Sequence, residues 1–159
     1  MRKRAKSVAC GWLLAILCTL CVAAAPLIEV TKNLAADARV AARQAKPLLL
    51  FFTQPGCPYC EGARRDYLRH LAVDPAYTAR AVFRKVAIDS TIEGFDGKPV
   101  SGLVLARAQG VNLYPTIVIV DALGKPLAAP LRGFTVPDFY ASMIDSRIDD
   151  AQQALRSRQ

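Results

Sequence analysis

Five consecutive large apolar residues, Leu48-Leu49-Leu50-Phe51-Phe52, run through Thr53-Gln54-Pro55-Gly56 into Cys57-Pro58-Tyr59-Cys60. An unbroken apolar run entered through Lys46-Pro47 predicts a strand covered on both faces. Pro55 and Gly56 end the strand, and Cys57 falls where a helix begins. Pro58 suits the first helical position, where an N–H would have no partner in any case. Cys60, Ala63, Tyr67, Leu68 and Leu71 then recur at helical spacing and predict one apolar face. Burying such a strand calls for helices on both faces of a sheet, so the stretch points to an α/β fold.

Two cysteines at a helix start have a chemical consequence. The free N–H groups of the first turn stabilise a thiolate, which makes Cys57 the expected nucleophile with a lowered pKa. Cys60 lies one turn further in and can attack the mixed disulfide that Cys57 forms. Strand, then C-P-x-C, then amphipathic helix reads as a dithiol/disulfide redox centre. Two other readings stay open. A structural disulfide has no reason to prefer a helix start, and a zinc site needs four ligands, usually from two such pairs. Beyond the leader the chain offers one pair and one histidine, His70.

Residues 1–24 read as a signal peptide. Arg2, Lys3, Arg4 and Lys6 form a basic start, Val8 to Val22 an apolar run, and Ala23-Ala24-Ala25 a small-residue exit. Cleavage after Ala23 or Ala24 suits the sequence better than cleavage before Pro26. The apolar run is longer than a usual signal core, so an uncleaved membrane anchor is the alternative. Cys10, Cys18 and Cys21 fall in this leader, leaving Cys57 and Cys60 no cysteine partner but each other. Export supplies an oxidising compartment in which their disulfide persists. The leader holds four of the 21 basic residues and none of the 13 acidic ones, so the net charge of +8 falls to +4 beyond it. That charge is spread along the chain, with no basic run interleaved with aromatics to mark a nucleic-acid surface. Residues 25–159 suffice for one hydrophobic core and are read as one domain.

Glu29 to Ala45 is alanine-rich and lacks Gly and Pro. It sets Val30, Leu34, Ala38, Ala41 and Ala45 on one side, predicting an N-terminal helix. The cysteine helix stops near Val73-Asp74-Pro75, and Ala76 to Ala81 reads as one further turn. Val82 to Asp89 alternates as a second strand. Ser90 to Val100, with Asp96-Gly97 and Lys98-Pro99, is a small hairpin or an ordered loop. Gly102 to Gln109 is a short helix capped by Gly110, and Thr116 to Val120 a β-branched strand. Pro126 and Pro130 confine the returning strand, Lys125 to Arg132, to a sheet edge. Thr135-Val136-Pro137-Asp138 reads as a capping box opening the last helix, with Tyr140, Ile144, Ile148, Ala151 and Leu155 on one face. The order α-β-α-β-α-β-β-α implies a mixed, mainly four-stranded sheet with both faces covered.

Together these features resemble the thioredoxin fold over nearly all of residues 25–159. The resemblance rests on the strand Leu48–Thr53, on Cys57-Pro58-Tyr59-Cys60, on Lys85 and Ile88-Asp89, on Tyr114-Pro115-Thr116 and on Gly133. It implies a three-layer α/β/α fold, here with an extra N-terminal helix. It also implies a cis bond before Pro115, which in that family lies against the active disulfide. A cis X–Pro bond costs little, and it exposes the backbone of the residue before it. Tyr114 then offers its main chain to an extended substrate segment as a short added strand. On this resemblance Cys57 and Cys60 are catalytic, and Pro58, Tyr59, Tyr114, Pro115 and Thr116 bind substrate.

The leader, the N-terminal helix and the insertion before Gly102 resemble exported bacterial thioredoxin-like proteins, including those associated with sulfur oxidation. The Cys-Pro-Tyr-Cys tetrad is similar to that of glutaredoxins, but no Gly-Gly-Asp-type sequence follows the proline strand. Glutathione binding is therefore not inferred. Phe51 stands where cytosolic thioredoxins carry an acidic residue, so Cys60 lacks that proton acceptor, and water or another carboxylate must serve. Gly56 stands where a tryptophan usually precedes the first cysteine. Lys85 reads as an exposed strand lysine or a thiolate-stabilising charge, and His70 as structural. Arg64, Arg65 and Arg69 read as a solvated face, Tyr67 and Phe83 as core. Asp89, Glu93 and Asp96 are too loosely placed for a metal site.

The expected function is that of an exported thiol–disulfide oxidoreductase, working as a reductase of protein disulfides. No metal is expected, and no cofactor beyond the Cys57–Cys60 disulfide itself. Expected partners are protein thiols and disulfides and a membrane-embedded redox protein that recycles the pair. The expected state is a periplasmic monomer, held at the inner membrane if the leader remains. The alternatives are a disulfide-forming oxidant and a non-enzymatic adaptor with a structural disulfide.

Overall fold

The computed structural model describes residues 28–158; the signal peptide or anchor expected over residues 1–24 lies outside them. In chain order the elements begin with α1 (Leu34–Arg43), β1 (Leu48–Thr53) and α2 (Pro58–Ala63), which a π-helical turn (Arg64–Leu68) joins to α3 (Arg69–Leu71). Next come α4 (Pro75–Thr78), β2 (Val82–Ala87), the hairpin β3 (Thr91–Glu93) and β4 (Pro99–Ser101), and α5 (Gly102–Ala108). β5 (Thr116–Val120), β6 (Leu131–Arg132) and α6 (Pro137–Arg156) complete the chain.

All six residues of β1 are buried, as its composition requires. It lies inside a four-stranded sheet of order β2-β1-β5-β6, parallel to β2 and antiparallel to β5. Alternation then divides its side chains. Leu49 and Phe51 join Ala63, Leu68, Tyr140, Ile144 and Ile148 of α2, the π turn and α6 on one face. Leu48, Leu50 and Phe52 join Leu34, Ala41, Leu105 and Ala106 of α1 and α5 on the other. This is the three-layer α/β/α arrangement. Each of the five large β1 side chains is fully buried, which contributes roughly 1.5–3 kcal/mol apiece relative to exposure.

The N-terminal helix is shorter than its composition suggests. Asn33 caps it by accepting the Ala36 N–H at 2.7 Å. Residues 29–31 instead run beside β2, with the Lys85 N–H donating to the Glu29 carbonyl and the Thr31 N–H to that of Lys85. Val30 is consequently exposed. Asp37, buried on α1, accepts from Arg84 Nε at 2.6 Å and from the Thr31 hydroxyl, which fixes this segment to the sheet. The capping box at Thr135 is not made: Val136 occupies the cap of α6, with no side-chain bond. The returning strand contracts to Leu131–Arg132 plus a bridge at Pro126, because Pro126 and Pro130 have no N–H to donate. The segment before Gly102 takes the hairpin alternative.

Candidate active site

Cys57 is the N-cap of α2, in an extended backbone conformation, and Pro58 takes the first helical position. Gly56 ahead of it turns the chain at φ +65°. The Cys57 sulfur accepts the Cys60 N–H at 3.1 Å, so a helix-end donor that lacks an intrahelical partner points at sulfur. Cys57 and Cys60 are joined in a disulfide, their Cα atoms 5.3 Å apart. Cys57 is half-buried, whereas Cys60 is buried among the side chains of the α2/α6 face. The outer sulfur is thus the one open to attack on or by another molecule.

The register of β1 and β5 brings the proline loop to the same place. Phe52 pairs with Thr116, so Pro115 lies at the sheet end from which Thr53 leads to the cysteines. The Tyr114–Pro115 bond is cis. Thr116 is fully buried, and its hydroxyl donates to the Leu113 carbonyl at 2.8 Å. Its side chain therefore supports the loop from beneath and does not face a groove, unlike the role its motif implies. Gly133, at φ +77°, donates its N–H to the Pro115 carbonyl at 2.7 Å and ties a third segment to the same loop.

Two clefts border α2, one of them lined by the disulfide itself. The first, about 390 Å³, is bordered by Thr53, Cys57, Cys60, Glu61, Arg64 and Lys85. Arg64 holds Glu61 through Nε at 2.9 Å and Nη2 at 2.6 Å. That hydrogen bond, with the charges of Arg64 and Lys85, holds the Glu61 carboxyl below the usual carboxylate range against a desolvation effect of opposite sign. Phe51 is fully buried in the cluster that contains Cys60, so no carboxylate lies at that position. The second cleft, about 520 Å³, runs between Tyr59, the Leu113-Tyr114 pair and residues Gly133, Phe134, Thr135 and Pro137. Among these side chains none is charged.

Of the residues singled out from the sequence, Cys57, Pro58 and Cys60 border the first cleft and Tyr59 and Tyr114 the second. Lys85 borders the first cleft beside the cysteines. His70 is exposed, its Nε2 facing Arg69 Nε at 3.1 Å. Arg64 is not merely a solvated charge, since it pairs with Glu61 at the cleft edge. The Glu61/Arg64 spacing of three along a helix signals such a pair. Nothing local in the sequence distinguishes Leu113 and Phe134, in loops, or Pro137, at a helix start, as groove residues. Among the described residues, no group of three or more His, Cys, Asp and Glu side chains could hold a metal ion. No helix there is long and apolar enough to cross a membrane.

Comparison with curated proteins gives no match. Among solved structures, the chain is similar to a thioredoxin of Malassezia sympodialis, at 17% identity and TM-score 0.54, over 79% of this chain and 94% of that one. It is similar to thioredoxin f of spinach chloroplast at 18% identity and TM-score 0.53, over 82% and 99% of the two chains. Mitochondrial thioredoxin 3 of Saccharomyces cerevisiae gives 19% identity and TM-score 0.50, over 77% and 94%. At such identities the likeness is one of fold. Residues 34–148 match the thioredoxin-like domain family, and with a disulfide on the helix cap beside the cis proline loop the chain belongs to that family.

Proposed function

We propose that the protein is an exported thiol–disulfide oxidoreductase that reduces disulfides in other proteins. The observation that carries this reading is Cys57, half-buried at a helix cap with an N–H aimed at its sulfur, while its partner Cys60 is buried. In the dithiol form the Cys57 thiolate attacks one sulfur of a substrate disulfide. A bond from Cys57 to that sulfur forms, the substrate disulfide breaks, and the departing thiolate takes a proton. Cys60 then loses its proton to water and its sulfur attacks Cys57. The Cys57–Cys60 disulfide forms, the second substrate thiolate leaves, and two electrons have passed to the substrate. The substrate segment lies extended along the Tyr114 backbone at the cis proline, a strand addition with side chains falling alternately into the flanking clefts. A membrane-embedded redox protein returns the pair to the dithiol.

Substitution tests the assignment. Cys57→Ser abolishes exchange, and Cys60→Ser accumulates a mixed disulfide with substrate through Cys57. Retained exchange in Cys57→Ser refutes the role of Cys57. The second reading, a disulfide-forming oxidant, is favoured by the first cleft. Its charged side chains are Glu61, Arg64 and Lys85, a net positive set. Positive charge stabilises the thiolate and with it the reduced form, which makes a stronger oxidant. The reduction potential separates the two: about −270 mV marks a reductase and about −120 mV an oxidant.

A further inference from the structure

We infer that Tyr67 is a positioning residue for substrate recognition. Together with Gly62 it fixes Phe134 as the wall of the uncharged groove beside the disulfide, and so sets a preference for an apolar side chain next to the substrate's reactive sulfur. The inference rests on the proposed exchange of disulfides with polypeptides.

The groove has three walls, and two are held by elements already described. Tyr59 is part of α2, and Leu113 and Tyr114 are tied down through Thr116. The third wall, residues 133–137, is irregular backbone over 133–136 and enters α6 at Pro137 without a side-chain cap. Among the described residues, its one backbone hydrogen bond to the proline loop is at Gly133, at one end. The active-site helix holds the rest. The Tyr67 hydroxyl donates to the Pro137 carbonyl at 2.6 Å, across 70 residues of sequence. The Phe134 ring meets Tyr67 edge-on at 5.9 Å between centroids and Tyr140 at 4.9 Å.

Gly62 completes the clamp. A Cβ built there would lie 3.0 Å from Phe134 Cε1, so the ring rests on the bare helix backbone. Within a helix alanine is the better former, and close approach of this ring is the reason a glycine serves. The π turn gives Tyr67 its direction. Ala63 and Leu68, five apart, are both buried, a spacing that fits one wide turn. The inserted residue leaves Tyr67 at the flank of the helix, facing the start of α6, instead of in line with Ala63. π turns of this kind recur at functional sites. The groove's lining of Tyr59, Leu113, Tyr114, Phe134 and Pro137 offers ring faces and aliphatic carbon. Its complement is a leucine- or phenylalanine-sized side chain carried past the sulfur on an extended segment.

The test compares wild type, Tyr67→Phe and Gly62→Ala as full chains in the dithiol form. Three substrates are used: bis(2-hydroxyethyl) disulfide, a peptide disulfide with leucine beside the cysteine, and the same peptide with serine there. Wild type is expected to prefer the leucine peptide. Both variants should raise KM for that peptide: Tyr67→Phe roughly two- to tenfold, the effect of one hydrogen bond, and Gly62→Ala by displacing the Phe134 ring. Turnover of the small disulfide and the reduction potential should stay at wild-type values. For Gly62→Ala the rise should come without loss of thermal stability, a combination that mere damage to the fold does not produce. Wild-type KM in both variants overturns the inference, as do equal losses on all three substrates or no peptide preference in wild type. If wild type exchanges with none of the three, the oxidoreductase reading itself fails, and the inference with it.

Discussion

Replacing Tyr140 with phenylalanine should stabilise this protein, although the change removes a polar atom from a packed core. Tyr140 is 1% exposed, and among the described residues its hydroxyl has no hydrogen-bond partner. No bond is lost with it, and the cost of stripping water from an unpaired hydroxyl, about 1–3 kcal/mol, is recovered. The vacated space, about 10 Å³, costs about 0.2 kcal/mol. A gain of about 1–3 kcal/mol follows, a rise in Tm of roughly 3–10 °C. Tyr67→Phe is the matched control, since the same chemical change there removes the bond to Pro137 and should lower stability by about 0.5–1.5 kcal/mol. Burial also pushes the Tyr140 pKa well above its ordinary value. The folded chain therefore keeps a proton that the unfolded chain releases above about pH 10. Stability from this source is complete below that pH and is lost as pH rises beyond it, by up to about 1.4 kcal/mol per unit. Denaturant titrations near neutrality and at about pH 11 should show wild type losing more than Tyr140→Phe. A variant less stable than wild type at neutral pH, or with the same alkaline loss, refutes the reasoning.

Gly102→Ala should be severely destabilising, because an added Cβ would lie 2.2 Å from the Ala87 carbonyl oxygen and 2.9 Å from the Ile88 Cα. Both are backbone, so α5 must shift and strain the Gly102 N–H bond to Ser90; about 2–4 kcal/mol is expected by denaturant titration. A midpoint close to wild type would show that α5 can move freely. Asp37→Ala leaves Arg84 and the Thr31 hydroxyl without their shared partner. Partial exposure and the nearby Glu29 moderate the loss to about 2–3 kcal/mol. Protection of the Thr31 and Lys85 amides from hydrogen exchange should fall in the same variant.

The layout of the sheet was legible because its strongest signals are local. β1 is an apolar run with a cysteine pair at its exit, and β5 a β-branched run behind Pro115. Neither needs knowledge of what packs on it. The start of α1 is not legible for a related reason. Glu29 to Thr31 have composition compatible with a helix, but their backbone pairs with β2, a partner more than fifty residues away. The π turn was invisible because Tyr67 and Leu68 both satisfy an apolar periodicity, and only packing against α6 selects Leu68 for the core. The second cleft was half legible. Tyr59 and Tyr114 belong to motifs, while Phe134 and Pro137 become groove residues only through Gly62 and Tyr67.

The two clefts also separate two properties that a disulfide exchanger must set independently. Glu61, Arg64 and Lys85 border the first cleft with the cysteines, and in the proposed exchange their charge biases the Cys57 thiolate and hence the potential. The rings at Tyr59, Tyr114 and Phe134 carry no charge and leave that balance alone; in the proposed exchange they select the segment that reaches Cys57. Helix α2 borders both clefts, presenting Glu61 to one and Tyr59 to the other, so a single rigid element holds the two functions in fixed relation to the disulfide. Because uncharged side chains add little to the field at sulfur, a change confined to the Phe134 wall alters recognition without altering the potential. A change at Arg64, which borders the cleft that holds both cysteines, should shift the potential.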